Sequence, residues 1–477
     1  MLIYPPGKHY QRGEDRCQGN VEDSSATNLH ACNDLGYVAS GLKKRPYEIF
    51  LKDYMGEGLS FDDLQKDFEH FAPDLLFLTI TTATIFKDID IVNKLKMSNR
   101  ECIVILKGAL FFDAPDAVLA DLDLSGVDYL VGGESDFVSA GLIHSHFTGK
   151  SPETIPGICY KSSGKWQKTN FTTWADDPDM LAFPDRSIMR NELYIRPDTG
   201  ETQATIAIAR GCSSSCTFCL TPIISGRKIR TRSSENVFRE VLECYDKYDI
   251  SNFFFKSDTF TLDREWVTEF CSRIMNSKLN GKISWVANSK TKPVDADTLK
   301  MMKKAGCWLI AFGFESGSEN TMKRLRKGTD VEDSYRAVRC AREAGLKIFG
   351  FFMAGFYWET REDLKKTENL VFELNADFIE LHIPVPYPGT LLYEQVCESI
   401  GRTESVTGKD YYSTPFDGMK YLNVADVLTF RKRLLFRYYF RISYIFNRFH
   451  EAFKKPVILM NYARYAVKLF YKTITFV

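Results

Sequence analysis

The chain has 477 residues, of which 44% are hydrophobic and 26% are charged, and its formal net charge is zero. This length predicts two or three domains, and this composition excludes a disordered or fibrous protein. The balanced charge predicts no overall affinity for nucleic acid.

The cysteines and the first residues bear on the cellular compartment. The twelve cysteines are irregularly spaced and stand mostly in apolar or helical contexts, unlike a secreted disulfide framework. The opening MLIYPPGKHY lacks the basic and apolar regions of a signal peptide, and no run approaches the roughly 18 apolar residues that a spanning helix needs. We expect a cytoplasmic protein that is neither secreted nor membrane-spanning.

Residues 1–149 alternate short apolar runs, at 75–80, 102–106 and 127–133, with longer helical patterns. This alternation predicts a Rossmann-like parallel sheet with crossover helices. Ligands bind such sheets beyond the carboxyl ends of the strands. The candidate contacts at those ends are Thr79, Thr81, Gly108, Gly132, Gly133 and Glu134. Turn formation is the alternative explanation of the glycines.

The middle of the chain divides into a linker and a second α/β domain. Residues 150–203 are rich in turn-forming residues and are interpreted as a linker with a small hairpin. Residues 204–400 return to strand and helix patterns, with strand candidates at 205–209, 252–258, 283–288, 308–315, 347–355 and 378–385. This succession predicts a partial (β/α)6 barrel of the TIM type, with its active site at the carboxyl ends of the strands.

Residues 401–477 are predicted to form a helical, basic extension. Beyond residue 426 the chain has eleven lysines and arginines and a single acidic residue, Glu451, among many aromatic residues. Such a segment can lie on an anionic membrane surface or bind an acidic substrate. A packed helical extension with solvated lysines is an equally good interpretation. Membrane contact would place the protein peripherally, at the inner membrane surface.

The segment ARGCSSSCTFCLTP follows the first strand candidate of the barrel and brings Cys212, Cys216 and Cys219 onto one loop. Three thiolates can hold three irons of a cubane cluster and leave the fourth iron open for a ligand. The alternative is a zinc site, but structural zinc is normally closed by four ligands, and no further cysteine or histidine follows before Cys244.

This spacing, with the aromatic Phe218 before the last cysteine, resembles the signature of the radical S-adenosylmethionine (SAM) superfamily. The segments at 256–266, 310–318, 350–360 and 385–394 resemble its second-, fourth-, fifth- and sixth-strand elements. The resemblance implies a [4Fe-4S] cluster on the three cysteines. The cluster would cleave SAM reductively to a 5′-deoxyadenosyl radical.

The resemblance also implies cofactor contacts outside the cysteine loop. Phe218 is expected to cover the adenine, and Glu315 and Ser316 to lie near the ribose or the methionyl amine. Gly350 and Gly355 would let the backbone pack against adenine, and Asp258 lies in the second-strand element. Arg210 and Arg230 are the nearest cations to the cysteines, with surface ion pairs as the alternative. Without its flanking FGF and SGS, Glu315 would be interpreted as a capping carboxylate.

A Rossmann-like domain before such a barrel resembles class B of the superfamily, whose N-terminal domain binds cobalamin. The segments 128–136 and 75–82 resemble the corrin-facing elements of that domain. Two features depart from the pattern. The chain has no Asp-x-His-x-x-Gly element for a lower axial ligand, and Lys107 stands where a glycine is usual.

The leading functional hypothesis is a cobalamin-dependent radical SAM methyltransferase that acts on an unactivated carbon of a lipid, a peptide or a natural-product intermediate. A rival is a radical SAM cyclase or oxidoreductase without methyl transfer. A non-catalytic iron–sulfur scaffold at a membrane and a tRNA-modifying enzyme are weaker alternatives, since no RNA-binding module is recognisable. The expected partners are a small-molecule or lipid substrate and an electron donor such as flavodoxin or ferredoxin, with no nucleic acid.

Overall fold

The structure is a computed structural model that describes residues 1–12, 29–113, 119–170, 174–403, 408–409, 415–453 and 455–474. Two sheets, one of seven strands and one of six, account for nearly all of the β-structure. Helices follow the parallel strands in both. The predicted α/β fold class, with a Rossmann-like sheet, a partial barrel and a helical C-terminal extension, is confirmed.

The first sheet has the strand order β2-β1-β3-β4-β5-β6-β7. Its first five strands are parallel. The strands are β1 (Leu2–Tyr4), β2 (Leu51–Asp53), β3 (Leu75–Thr79), β4 (Ile103–Lys107), β5 (Tyr129–Val131), β6 (Ile158–Ser162) and β7 (Lys165–Lys168). The helices are α1 (Asn33–Leu42), α2 (Phe61–Phe71), α3 (Ile85–Ser98), α4 (Leu110–Asp113) and α5 (Ser135–Phe147). Because β3 is buried on both faces, its sequence is a continuous apolar run.

The hairpin β6–β7 corrects the prediction of a separate linker at 150–203. Strand β6 pairs with β5 in antiparallel register, so the hairpin extends the first sheet and covers an edge that would otherwise be open. Further along this segment, Met189 and Tyr194 are buried in the core of the first domain. The first domain therefore continues well past residue 149.

The second sheet has the order β15-β14-β13-β12-β11-β8, and all its strands are parallel. Its strands are β8 (Gln203–Ala207), β11 (Asn252–Lys256), β12 (Ser284–Ser289), β13 (Cys307–Glu315), β14 (Lys347–Met353) and β15 (Phe378–His382). A two-stranded ribbon, β9 (Ala209–Arg210) and β10 (Arg230–Thr231), stands beside it. The six strands form a barrel wall that is open between β15 and β8.

Helices pack on the outside of this wall. They are α6 (Thr221–Ile224), α7 (Ser234–Tyr248), α8 (Arg264–Met275), α9 (Ala296–Lys304), α10 (Glu319–Leu325), α11 (Val331–Glu343), α12 (Arg361–Leu374) and α13 (Leu391–Ile400). Local sequence fixes several helix starts, since Asp330 and Thr360 form capping boxes before α11 and α12. The buried faces of α7, α8, α9, α11 and α12 share one core with the strands, whereas α10 and α13 pack in a separate cluster.

The C-terminal extension consists of α14 (Val424–Tyr439), α15 (Ile442–Ala452) and α16 (Pro456–Ile474). Helix α14 covers the barrel edge at β15, where the Tyr439 hydroxyl accepts from Ile379 N at 2.8 Å and donates to Ile379 O at 2.6 Å. Helix α16 reaches the other edge, since Asn461 Nδ2 donates to Asp198 O at 2.9 Å, just before β8. Within the described residues, no helix is long and apolar enough to cross a membrane.

Candidate active site

The three predicted cluster cysteines lie on the loop that follows β8 and β9, at the carboxyl end of the barrel wall. Gly211 starts this loop with φ +81°, and a Cβ there would stand 2.2 Å from Lys228 O, so only glycine fits. Cys212 N then donates to Gly226 O at 3.1 Å. The loop is therefore tied to the chain that follows it.

Two further backbone bonds hold the loop between α10 and α13. Thr217 N donates to Leu325 O at 3.0 Å, and Leu392 N donates to Thr217 O at 2.8 Å. Cys219 Sγ accepts from Thr221 N at 3.4 Å. All three cysteines are half-buried and line one cavity. They therefore present sulfur to an enclosed but accessible space, as a cluster with an open iron requires.

The thiols have the chemistry of cluster ligands. Burial, with the neighbouring Cys219, raises the pKa of Cys216 to about 12, so thiolates at this position need a bound cation. Among the described residues, no three His, Cys, Asp or Glu side chains converge tightly enough to hold a single metal ion. In a cubane each thiolate binds a different iron, so the loop suits a [4Fe-4S] cluster better than the alternative zinc site.

The cavity that the cysteines face has a volume of about 760 Å³ and runs through the barrel to its opposite end. Its wall comes from the inward residues of the strands, which alternate along each strand. Those from β11 to β15 are Phe254, Lys256, Val286, Asn288, Leu309, Ala311, Gly313, Glu315, Phe349, Phe351, Met353, Phe378, Glu380 and His382. The lining is mostly apolar and aromatic, and its charged groups lie both near the cysteines and at the opposite end, where Arg196, Asp198 and Arg448 line the cavity.

Glu315 is the most unusual residue of this wall. It has φ +61° at the end of β13, a left-handed conformation that costs energy for a residue with a side chain. Its carboxylate is buried and lies 2.5 Å from Lys327 Nζ, which also donates to Gly313 O at 2.5 Å. Phe218 and Asp258 line the same cavity. The structure thus brings three of the predicted cofactor contacts together with the cysteines.

Three other predicted contacts do not line the cavity. Ser316 is fully buried, where its hydroxyl accepts from Ser318 N at 3.1 Å and shapes a turn. Gly350 has the wrong parity on β14, so it packs against Phe314 and Phe352 on the outer face of the strand. Gly355 lies against Val427 of α14, with φ +104°. Ser316 and Gly355 lie just beyond the ends of β13 and β14, and Gly350 lies inside β14, so their roles toward a cofactor stay predictions.

Sequence reasoning missed Glu359 and Lys327. Glu359 is fully buried beyond β14, where it accepts from Gly355 N at 2.8 Å and Phe356 N at 3.1 Å. Burial raises the pKa of Glu359 to about 7. Lys327 follows α10 and pairs with Glu315 from 12 residues away. The only sequence feature that pointed to Glu359 was its position between Trp358 and the N-cap of the following helix.

The carboxyl ends of the first sheet are occupied by buried charges. Arg12 pairs with Asp88 at 2.8 and 3.0 Å and donates to Thr79 O at 2.9 Å. The Thr79 hydroxyl, predicted to face a corrin, donates to Asp34 Oδ2 at 2.7 Å, and Lys107 Nζ lies 4.0 Å from the same oxygen. The cleft beside these groups has a volume of only about 90 Å³.

The other strand-end predictions in the first domain fall beside this cluster. Thr81 is buried, and a Cβ on Gly108 would stand 2.7 Å from Ile80. Gly132 N donates to Gly157 O at 3.1 Å, and Gly133 packs near Phe112 with φ +62°. These contacts all fall on the protein itself.

Two ion pairs join the domains at this edge. Glu134 binds Arg230 through both carboxylate oxygens, and Asp136 binds Arg210. Burial raises the pKa of Glu134, and Arg230 opposes that shift. Arg210 and Arg230 therefore hold the first domain against the barrel, and neither lines the large cavity. The arginine that contacts the cysteine loop is Arg227, which donates to Ser215 Oγ at 3.1 Å.

Comparisons with known proteins agree with this architecture. The sequence profile of the Radical SAM superfamily matches residues 206–371. The chain is 29% identical to an uncharacterized methyltransferase of Pyrococcus horikoshii, over 76% of this chain and 77% of that protein. It is 24% identical to an anaerobic magnesium-protoporphyrin IX monomethyl ester cyclase of Cereibacter sphaeroides, over 77% of this chain and 60% of that protein.

A solved structure matches both domains. It is the radical SAM methyltransferase TsrM of Kitasatospora setae with cobalamin and a [4Fe-4S] cluster bound. The TM-score is 0.64 at 17% identity, with 83% of this chain and 77% of that chain covered. The likeness shows that the two chains share a fold across the N-terminal domain and the barrel.

Proposed function

The chain belongs to the radical SAM superfamily, and on that premise we propose that it is a cobalamin-dependent methyltransferase acting on an unactivated carbon of an apolar substrate. One observation carries the proposal: three half-buried cysteines on one loop face an apolar cavity of about 760 Å³ at the carboxyl end of a partial barrel. The relationship to a methyltransferase over most of both chains supports the same reaction class.

Cys212, Cys216 and Cys219 would hold the cluster, which supplies the electron for reductive cleavage of SAM when it is bound. Glu315 offers a buried carboxylate beside that position, and Lys327 fixes its orientation. Phe218 packs toward Phe356, with 6.3 Å between ring centroids, and gives one side of the site an aromatic face. These residues would bind and orient a polar cofactor at the end of the cavity next to the cysteines.

The walls define the substrate class. Phe349, Phe351 and Phe378 shield the middle of the cavity from water, as an enzyme that handles a carbon radical requires. Glu380 and His382 form the polar pair on this part of the wall, with 3.7 Å between His382 Nε2 and Glu380 Oε2. Burial lowers the pKa of His382, so a neutral imidazole faces the substrate. The cavity fits a long apolar molecule with few polar groups.

A second candidate is a radical SAM reaction without cobalamin, such as ring closure or oxidation. The charge-filled edge of the first sheet favours it, because Arg12, Asp34 and Lys107 are buried there beside a cleft of about 90 Å³. The relationship to a cyclase at 24% identity is also compatible with it. The fold likeness to TsrM supports the first candidate.

Anaerobic reconstitution with iron and sulfide tests both candidates. We expect the electron paramagnetic resonance signal of the reduced cluster to change on addition of SAM, and 5′-deoxyadenosine to form. Hydroxocobalamin should bind with a corrin absorbance that survives gel filtration. A cluster without bound corrin would overturn the methyltransferase and leave the second candidate, and a protein without a cluster would overturn both. An electron donor of the flavodoxin or ferredoxin class is expected to replace the chemical reductant.

A further inference from the structure

Helix α15 carries an apolar stripe that faces solvent. The stripe consists of Ile442, Ile445, Phe446, Phe449 and, just beyond the helix, Phe453, with exposed fractions of 86%, 51%, 67%, 48% and 65%. Their spacing of three and four residues places them on one side of the helix. Such a face normally packs against a core, so its exposure indicates a contact outside this chain.

The opposite face of α15 is fixed to the barrel, and these contacts hold the apolar stripe toward solvent. The Tyr444 hydroxyl donates to Asp377 O at 2.9 Å, and Arg448 pairs with Asp377 at 2.8 Å. Ala452 is fully buried. Tyr444, Arg448 and Ala452 thus face the protein, and the large apolar residues of the stripe face away from it.

Helix α16 continues the same surface. Val457, Met460, Val467 and Tyr471 are each at least half exposed, and their spacing again places them along one side. Two exposed cations border this side: Lys455 lies just before the helix, and Arg464 lies on it. The outer surface of α15 and α16, called here the apolar platform, is therefore large, continuous and bordered by positive charge.

The apolar platform meets the far end of the active-site cavity. Ile445 and Phe449 belong to the exposed stripe and also line the cavity. From α16, Leu459, Ala466 and Leu469 line it as well. An apolar molecule that enters between the two helices would pass Arg448 and Lys468 and then meet the aromatic wall of the barrel on the way to the cysteine loop.

The charge of this segment distinguishes between two partners that could cover the apolar platform, a second copy of this chain and a lipid surface. From residue 442 to residue 474 the chain has six lysines and arginines and one acid, Glu451. That acid is already engaged by Lys347 and Arg448. Two copies of this chain meeting face to face would bring like charges together, whereas an anionic lipid surface would attract the cations.

We propose that α15 and α16 dock the protein on an anionic bilayer, and that the substrate is a lipid whose chain enters the barrel between these helices. The docking stands independently of the reaction, while the lipid substrate rests on the proposed function. The bilayer would supply the apolar contact that the two stripes lack, and the barrel would receive a chain without exposing it to water.

Vesicle flotation of the reconstituted protein tests the docking. We expect the wild type to float with phosphatidylglycerol vesicles and weakly with phosphatidylcholine vesicles. A variant carrying Ile442→Ser, Phe446→Ser and Phe453→Ser, none of which lines the cavity, should lose vesicle binding at least about tenfold. The matched control, Met97→Ser with Met180→Ser, removes two apolar residues that are 72% and 81% exposed elsewhere, and should float like the wild type.

Formation of 5′-deoxyadenosine without vesicles should be equal in the wild type and the triple variant, which separates a docking defect from a catalytic one. Loss of SAM cleavage in the wild type would overturn the proposed function and leave the docking result standing. Wild-type protein that does not float, or a triple variant that floats normally, would overturn the docking. A triple variant that changes from dimer to monomer without a change in flotation would assign the platform to a second copy of the chain.

The entry route has its own probe, dansyl-undecanoic acid, whose fluorescence rises in an apolar cavity. Ala466→Trp should lower its affinity about fivefold by narrowing the passage, with flotation unchanged. Equal affinity in the wild type and this variant would overturn entry between the two helices.

Discussion

The two sheets differ at the carboxyl ends of their parallel strands. At the carboxyl edge of the first sheet, Arg12 pairs with Asp88, Asp34 accepts from Thr79, and the cleft beside them measures about 90 Å³. At the corresponding edge of the second sheet, the half-buried cysteines open onto about 760 Å³. Both edges carry the small and polar residues that predict ligand binding in this class of sheet. Whether such an edge is open depends on whether its polar side chains find partners within the protein.

The largest effect should come from removing a cysteine of the loop. Cys216→Ala deletes one cluster ligand, and we expect iron content to fall from about four atoms per chain to less than one. SAM cleavage should fall at least ~1,000-fold, equivalent to about 4 kcal/mol in the barrier. The measurements are an iron assay and the rate of 5′-deoxyadenosine formation.

Cys340→Ser is the matched control, since Cys340 is half-buried on α11 and away from the cavity. It should keep both iron and activity. Full activity in Cys216→Ala would show that the cysteine loop takes no part in the chemistry. The two sheet edges would then not differ in function.

Substitutions at the carboxyl edge of the first sheet should change the free energy of unfolding. Arg12→Met leaves Asp88 buried without its bidentate partner, and we expect unfolding free energy to fall by about 3 to 5 kcal/mol in urea titrations. Arg190→Met breaks a pair whose arginine side chain is 55% exposed, and should cost no more than ~1 kcal/mol. Equal losses in both variants would show that the buried cluster does not hold this edge closed.

These cases show what sequence reasoning can reach. The strand at Leu75–Thr79 was predicted from its apolar run, because burial on both faces leaves that trace. The partners of Thr79 were not predictable, since Asp34 and Arg12 lie 45 and 67 residues away in the chain. On the barrel, the cysteine loop was recognisable from spacing alone. Gly350 shows the limit there, because a single position along β14 decides which face of the strand a residue occupies.

The barrel also contains a buried carboxyl that pairs with no cation, and it should give a pH-dependent stability. Burial raises the pKa of Glu359 from 4.5 to about 7. The folded protein therefore binds this proton more tightly than the unfolded chain, so the stabilisation is present below pH 4.5 and is lost as pH rises toward 7. Glu359→Gln mimics the protonated form, and the wild type should lose about 2 to 3 kcal/mol relative to it between pH 5 and pH 8. Parallel stability curves for the two proteins over this range would contradict the assignment.

The smallest expected effect tests the comparison most directly, because it measures whether removing one side chain makes space at the carboxyl edge of the first sheet. Lys107 is almost fully buried and shares Asp34 with Thr79. Lys107→Ala removes a long side chain from that space, while the Tyr4 and Thr79 hydroxyls still donate to the Asp34 carboxylate. If a corrin binds here against steric resistance, the variant should bind hydroxocobalamin about tenfold more tightly, or by ~1.4 kcal/mol, in an absorbance titration. Unchanged binding would mean that a corrin, if bound, does not occupy the space of this lysine, and weaker binding would mean that Lys107 itself contacts the corrin.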